Sequence, residues 1–230
     1  MTAVSHVGVV VPVHDEEELL EGCLASILAA AGAVPALVVV VLDACTDASG
    51  EIAARFPVTI LRIDAHNVGA ARRAGAAHVL RVFGHRNAGR TWIANTDADS
   101  TVPANWIEHQ AALAHVGADV MTGAVRPDLG ALTPDHAELW LRTHPPGQPN
   151  GNVHGANLGI RASIYLAAGG FAPLPEHEDI DLVARAVDVG AVVVSTDECT
   201  VETSARFVGR TPGGYAGYLR ALDAELRSRA

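Results

Sequence analysis

The sequence contains no lysine: all sixteen basic residues of the 230-residue chain are arginine. This absence excludes a lysine Schiff base and the lysine-dependent phosphate clamp of P-loop proteins. The three cysteines, Cys23, Cys45 and Cys199, are far apart in the chain. Their spacing fits neither a zinc site nor a disulfide framework, and it favours a reducing compartment.

Basic charge and long apolar segments are also scarce. The formal net charge of −10 argues against a nucleic-acid partner, because such a surface needs basic side chains to replace counterions. The same charge disfavours an anionic diphosphate unless a cation accompanies it. The apolar segment at residues 7–13 is too short to span a bilayer, and no signal-peptide pattern is present. We therefore predict a cytoplasmic protein without an integral membrane segment, and leave peripheral membrane contact open.

Short β-branched segments alternate with helical patterns through residues 1–125. Apolar residues occupy both faces of the strands, which is typical of a parallel sheet covered by helices. We predict one α/β domain over residues 1–230, with a Rossmann-like, mostly parallel sheet sandwiched by helices. The predicted strands cover residues 7–13, 37–42, 58–63, 91–95 and 118–125. The predicted helices begin with acidic residues 15–18 and at positions 48, 69 and 102.

The pattern changes after residue 125. Residues 126–153 are rich in proline and glycine, and we interpret them as an excursion with one helix around 137–141. A helix at 178–189 and a strand at 191–195 follow. Residues 206–217 are rich in glycine and arginine, and an amphipathic helix closes the chain.

Polar residues follow several predicted strands, where ligands bind in open α/β sheets. Asp97 and Asp99 flank Ala98 at one strand end, and their hard oxygen atoms suit Mg²⁺ or Mn²⁺. The alternative is a solvated acidic turn that caps the next helix. Asp43 follows another strand, where its carboxylate suits hydrogen bonds from a base or ribose, whereas Asp47 fits a helix N-cap.

Residues 67–73 (Asn-Val-Gly-Ala-Ala-Arg-Arg) open a helix with small side chains, which allow a ligand to approach the backbone. Arg72 is placed to reach a phosphate. An ordinary Asn-x-Gly turn with surface arginines is the alternative.

Four segments together resemble the family 2 glycosyltransferases of the GT-A fold. They are residues 9–17 (Val-Val-Val-Pro-Val-His-Asp-Glu-Glu), 42–47 (Leu-Asp-Ala-Cys-Thr-Asp), 67–72 and 97–99. They occur in the order that the family has, and the likeness covers roughly residues 5–205. His14 and Asp15 stand where the family often has Tyr-Asn.

The resemblance implies a nucleotide-diphosphate sugar donor of the UDP or GDP type and an Mn²⁺ or Mg²⁺ cofactor. It implies that Asp99 binds the metal directly, and that Asp97 binds metal or ribose. It further divides the chain into a donor half (1–125), an acceptor half (126–205) and a tail. The residues that it assigns to the nucleotide are Pro12, Asp43, Asn67, Arg72 and Asp97.

On the acceptor side, residues 178–181 (Glu-Asp-Ile-Asp) are similar to the family's base motif. The resemblance implies that Asp179 deprotonates the acceptor hydroxyl in an inverting transfer and that Glu178 orients Asp179. The alternative is an acidic first turn favoured by the helix dipole. His154 or Asn157 would lie near the sugar, and a structural histidine is an equal alternative.

Three further points stay open at this stage. Arg206 and Arg210 fit either a phosphate-clasping loop or an ordinary solvated tail. The family's histidine after the base helix, a third metal ligand, is missing, and Glu202, Ser204 or water are its possible replacements. The alternatives to a glycosyltransferase are a nucleotidyltransferase of related fold and a non-catalytic nucleotide-sugar-binding protein. Sequence does not identify the acceptor or the oligomeric state.

Overall fold

Eight strands form a single mixed sheet in the order β3-β2-β1-β4-β7-β6-β8-β5. The computed structural model describes residues 3–32, 34–145, 147–149, 151–174, 176–209 and 213–229. Four strand pairings are parallel and three are antiparallel. The strands are β1 His6–Val13, β2 Ala36–Asp43, β3 Thr59–Ile63, β4 Thr91–Asn95, β5 Ser100–Thr101, β6 Val120–Pro127, β7 Leu158–Arg161 and β8 Val193–Thr203.

Helices cover both faces of this sheet. The cluster on one face includes residues of α1, α2 and α4, and the cluster on the other includes residues of α3, α6 and α7. The predicted α/β sandwich is therefore confirmed. The helices are α1 Leu20–Ala31, α2 Ser49–Ala53, α3 Val68–Phe83, α4 Trp106–His115, α5 Pro134–Thr143, α6 Ala162–Ala167, α7 Glu178–Asp188 and α8 Tyr215–Arg229. None of the helices in the described part of the chain is long and apolar enough to cross a membrane.

The central strands are apolar on both faces because both faces are buried. Along β1, Val9 and Val11 point into one core cluster and Val10 points into the other. All three have no solvent exposure. Successive side chains of a strand point to opposite faces, so alternate valines enter different cores. Because both cores are apolar, residues 9–11 are a continuous run of valine.

Several predicted boundaries differ from the structure; α4, for example, begins at Trp106 rather than at residue 102. The last strand was expected to end at residue 195, but β8 continues to Thr203. Polar residues conceal this continuation, although Cys199, Val201 and Thr203 are buried alternately along it. The acidic residues 15–18 precede α1, which begins at Leu20. Glu17 instead accepts a hydrogen bond from the backbone of Ala48 and thereby joins two loops.

The excursion after β6 contains a longer helix than the sequence predicted. α5 packs against the final helix α8, with Leu139, Trp140 and Leu222 forming a separate small core. This packing brings the C-terminal helix back over the carboxyl ends of the strands.

The strand order reverses at β1, which lies between β2 and β4 and is parallel to both. Helices that connect such strands leave on opposite faces, so a crevice opens beyond the carboxyl ends at this point.

Candidate functional site

A cavity of about 1020 Å³ lies beyond the carboxyl ends of β1, β2 and β4. The residues that the family resemblance assigned to the nucleotide, the metal and the catalytic base all line it. The cavity also receives side chains from the C-terminal segment, so it joins both halves of the chain. Its predicted members are Pro12, Asp43, Asn67, Arg72, Asp97, Asp99, His154, Glu178, Asp179 and Arg206.

The Asp-Ala-Asp triplet directs two carboxylates into the cavity. Ala98 between them is buried in the core, as the pattern predicted. Oδ1 of Asp99 accepts hydrogen bonds from the hydroxyls of Ser100 and Thr203, both at 3.3 Å. Burial raises the pKa of Asp99 to about 6, and the nearby negative charge of Asp97 adds to this effect.

These carboxylates fit a divalent cation. Their oxygen atoms are the hard ligands that Mg²⁺ and Mn²⁺ prefer, and substrate phosphates commonly complete such a coordination shell. Burial is the main cause of the raised pKa of Asp99, and repulsion from the negative charge of Asp97 contributes to it. A cation between them would relieve that repulsion.

Arg72 lies beneath the cavity rather than reaching into it. Only 2% of its side chain is exposed; Nη2 is 2.6 Å from Oδ1 of Asp97, and Nε is 3.0 Å from Oε1 of Glu178. The expected orientation of Asp179 by Glu178 is replaced by this pairing of Glu178 with Arg72. Gly155 covers the guanidinium, and a Cβ at that position would overlap Nη2. Arg72 on α3 therefore links the loop after β4, through Asp97, to α7, through Glu178.

The Arg72 bridge makes a stability prediction. We expect Arg72→Met to lower the free energy of unfolding by about 3 kcal/mol, because it leaves Glu178 buried without its cation. Urea denaturation at pH 7 measures this change. The matched control is Arg126→Met, which breaks an exposed pair with Glu202 and should cost less than about 1 kcal/mol. Equal costs in the two variants would contradict a bridging role.

Asp179 lies at the start of α7, and two backbone N–H groups hold its carboxylate. Gly155 donates to its Oδ2 at 2.6 Å, and Ile180 donates to its Oδ1 at 2.8 Å. These contacts fix the Asp179 carboxylate at the cavity wall. Asp179 is far from the Asp97–Asp99 triplet in the sequence, but Asp179, Asp97 and Asp99 all line the same cavity. Hydrogen bonds of this kind orient a carboxylate without consuming all its lone pairs.

Asp43 and Asn67 shape the loop between β3 and α3. The Asp43 carboxylate accepts hydrogen bonds from the backbones of Ala65, His66 and Asn67, at 2.7, 2.9 and 2.7 Å. Asn67 caps α3 by accepting from Ala70, and its amide donates to Leu174. Asn67 is thus the N-cap of α3, and the alternative of surface arginines is wrong for Arg72, which is buried. Direct contact of either residue with a nucleotide stays a prediction.

Sequence reasoning did not predict the pairing of His14, which follows β1, with His66, which follows β3. Nδ1 of His14 is 2.6 Å from the backbone oxygen of Asp43, and its ring meets that of His66 at a centroid distance of 5.6 Å. Both rings line the cavity. The signal was the presence of histidine where the family often has tyrosine.

Backbone strain is a second signal that the sequence does not reveal. The described non-glycine residues with positive φ all lie in loops next to this cavity, and their φ values run from 48° to 62°. Strain of this kind persists where surrounding structure enforces it, and it concentrates at functional sites. The four residues are Asp15, Ala44, His66 and His177.

Aromatic rings also line the cavity. The His154 ring contacts Tyr215, whose hydroxyl accepts a hydrogen bond from Trp140. Burial lowers the pKa of His154, which favours the neutral form of this imidazole. Asn157, the alternative to His154, is fully buried and hydrogen-bonded to Trp106 and to backbone oxygens. Asn157 is therefore structural.

The proposed substitutes for the missing histidine differ in position. Ser204 lines the cavity, whereas Glu202 pairs with Arg126 at 3.0 Å and is not among the described lining residues. Arg210, the second arginine of the expected phosphate-clasping loop, lies outside the described residues.

A group of three potential metal ligands, Asp15, Cys45 and Asp47, lies outside this cavity. Asp15 accepts hydrogen bonds from the backbones of Thr46 and Asp47, and Asp47 accepts from Ser49. Burial raises the pKa of the Cys45 thiol, which disfavours the thiolate that binds metals. These residues tie the loops after β1 and β2 together.

Comparison with known families identifies the family of this chain. A family model described as "Glycosyl transferase family 2" matches residues 8–162. The chain belongs to glycosyl transferase family 2. No curated protein sequence matches it.

Solved structures of other glycosyltransferases share the fold. The mannosyltransferase PcManGT from Pyrobaculum calidifontis, in complex with GDP-Man and Mn²⁺, is 19% identical with a TM-score of 0.66. The alignment covers 97% of this chain and 62% of that one. S. aureus TarS 1-349 with UDP-GlcNAc is 16% identical, with a TM-score of 0.67 and coverage of 96% and 66%.

A third structure extends the likeness. Glucosyl-3-phosphoglycerate synthase from Mycobacterium tuberculosis, in complex with Mg²⁺ and UDP, is 14% identical with a TM-score of 0.60. The alignment covers 98% of this family 2 chain and 79% of the synthase. At these identities the likeness shows the fold, and the chain spans less than two thirds of the mannosyltransferase.

Proposed function

We propose that the protein is a metal-dependent, inverting glycosyltransferase that moves a sugar from a UDP- or GDP-type donor to an acceptor hydroxyl. One observation carries the proposal: Asp97 and Asp99 share a cavity with Asp179, and the buried Arg72–Glu178 pair joins the elements that bear them. A pair of hard ligands can hold a cation that stabilises a leaving diphosphate, and a separate carboxylate can act as the base that deprotonates the acceptor. The family membership supports the same reaction class.

Residues 1–125 would bind the donor. His14 contacts His66 and the backbone of Asp43, and this group would face the nucleobase. Asp97 and Asp99 line the same cavity. A divalent cation held by Asp97 and Asp99 would stabilise the negative charge of the leaving diphosphate. The PcManGT structure contains GDP-Man with Mn²⁺, and the synthase structure contains UDP with Mg²⁺. Both are consistent with this assignment.

Residues 126–205 and the tail would bind the acceptor. Asp179 would accept the proton of the acceptor hydroxyl as its oxygen attacks the anomeric carbon, while the bond from that carbon to the diphosphate breaks. Gly155 holds the Asp179 carboxylate in place for this transfer. His154 and Tyr215 would face the acceptor, because they line the cavity next to Gly155. Attack opposite the leaving group inverts the anomeric centre.

We also propose a cytoplasmic location, with the acceptor either a small molecule or a substrate at a membrane surface. The three cysteines are free, and Cys23 and Cys199 are buried. Free thiols suit a reducing compartment.

A thermal-shift panel tests the donor assignment. We expect UDP or GDP with Mn²⁺ to raise the unfolding midpoint by about 5 °C or more at 100-fold excess over Kd, because a ligand of the native state stabilises it by about 2.7 kcal/mol. Chelator should remove most of the shift. CDP and ADP serve as controls for the choice of nucleobase. A nucleoside triphosphate that stabilises the protein while UDP and GDP do not would favour a nucleotidyltransferase instead.

A further inference from the structure

Arg206 connects the segment after β8 to carboxylates at the ends of β1 and β4. Its Nη1 and Nη2 donate to the two carboxylate oxygens of Glu16, at 3.0 and 2.7 Å. Nη2 also lies 2.8 Å from Oδ2 of Asp99. One guanidinium thus binds two acidic side chains, and one of them is an expected metal ligand.

The contact with Asp99 uses the oxygen that a cation would need. Because Oδ1 of Asp99 already accepts hydrogen bonds from Ser100 and Thr203, Oδ2 is the oxygen directed towards Arg206. Two positive charges at one carboxylate oxygen repel each other, and the repulsion is strong where solvent screening is weak. The Asp99 side chain is only 15% exposed. Arg206 and a divalent cation therefore compete for Oδ2.

Glu16 offers Arg206 a position that does not depend on Asp99. Its side chain is 7% exposed, and its backbone N–H donates to the Ser49 hydroxyl at 2.9 Å. An arginine bound to both oxygens of one carboxylate has a well-defined geometry. Arg206 can therefore release Asp99 and keep both hydrogen bonds to Glu16.

We infer that Arg206 is a positioning residue that holds Asp99 until a divalent cation displaces it, and that Glu16 retains the displaced guanidinium. The inference rests on the metal assignment in the proposed function. Metal binding would then remove one of the contacts that hold the segment that begins at Ser204, while the Arg206–Glu16 pair and the backbone hydrogen bond from Ser204 to Asp99 remain. By linkage, an ion pair that the metal must break weakens metal binding. Removal of the Arg206–Asp99 pair should therefore strengthen metal binding.

Titration of the full chain with Mn²⁺, without donor, tests this competition, and the electron paramagnetic resonance signal of free Mn²⁺ reports binding. We expect Arg206→Met to bind Mn²⁺ about tenfold more tightly than the wild-type protein. Arg206→Lys should fall between them, because lysine keeps the charge but cannot bind Glu16 with two parallel donors. Arg126→Met is the matched control: it removes the same charge from an exposed pair, and its affinity should stay within about twofold of wild type.

Equal or weaker Mn²⁺ binding by Arg206→Met would overturn the inference, and so would an equal gain in Arg126→Met, which would indicate net charge alone. If Arg206→Met does not fold, Arg206→Lys makes the same comparison, and binding no tighter than wild type overturns it. Absence of Mn²⁺ binding by every variant would also overturn it. Donor turnover, measured in parallel, reports separately on the proposed function.

Discussion

Replacing Asp99 with alanine is expected to lower donor turnover by about 10²–10³-fold or more, because it removes a ligand to the cation that stabilises the leaving diphosphate. Nucleoside diphosphate release at saturating Mn²⁺ measures the loss. Chelation of the metal should reduce the wild-type enzyme to a similar rate. The two treatments should not be additive, since both remove the same interaction.

The Asp99→Ala variant should remain folded. Arg206 keeps its two hydrogen bonds to Glu16, and the hydroxyls of Ser100 and Thr203 keep their mutual hydrogen bond at 2.9 Å. The native fold raises the pKa of Asp99 from 3.8 to about 6, so the cost in stability grows between these two pH values and is fully present at pH 7, where removal of the carboxylate relieves it. Circular dichroism and urea denaturation at pH 7 check the fold.

Glu202→Ala is the matched control for Asp99. Glu202 lies on the neighbouring strand β8, but its carboxylate pairs with Arg126 outside the cavity. We expect its turnover to be close to wild type. Full turnover by Asp99→Ala would refute the metal assignment, whereas loss in Glu202→Ala would identify Glu202 as the ligand that replaces the missing histidine.

The fold could be predicted because its main determinant is local. Valines on both faces of β1 and β2 indicate strands that are buried on both faces of the sheet. The helical spacing of apolar residues between the strands predicts helices that connect parallel strands. The candidate site could be located because parallel strands end at one edge, so residues after different strands must meet there. Asp43, Asn67 and the triplet at 97–99 were found in this way.

Long-range pairing could not be predicted in the same way. Glu16 and Arg206 are separated by 190 residues, and Arg72 and Glu178 by 106. Nothing in the local pattern shows that Arg72 is buried, because an arginine after small helical residues usually lies at the surface. The polar composition of β8 likewise conceals a strand whose burial comes from tertiary contacts.

Asp179→Asn should lower kcat by about 10²–10⁴-fold with little change in donor affinity, because amide nitrogen and oxygen cannot accept the acceptor proton at neutral pH. The asparagine oxygen can still accept a hydrogen bond from Gly155 or Ile180, so the geometry of the helix start is retained. Turnover of the donor nucleotide selected by thermal shift, with water or a screened acceptor, gives kcat. Calorimetric titration with the nucleoside diphosphate and Mn²⁺ gives affinity.

The alternative for this segment is an acidic first turn that only stabilises the helix, and it makes a different prediction. On that account Asp179 and Asp181 are equivalent, since both lie in the first turn of α7. Asp181, however, pairs with Arg185 and is not among the described residues lining the cavity. Asp181→Asn should therefore lose stability by less than about 1 kcal/mol and keep its kcat. Equal kcat in the Asp179→Asn and Asp181→Asn variants would refute the assignment of Asp179 as the catalytic base. Equal losses of kcat and of donor affinity in Asp179→Asn would instead indicate that Asp179 is a binding residue.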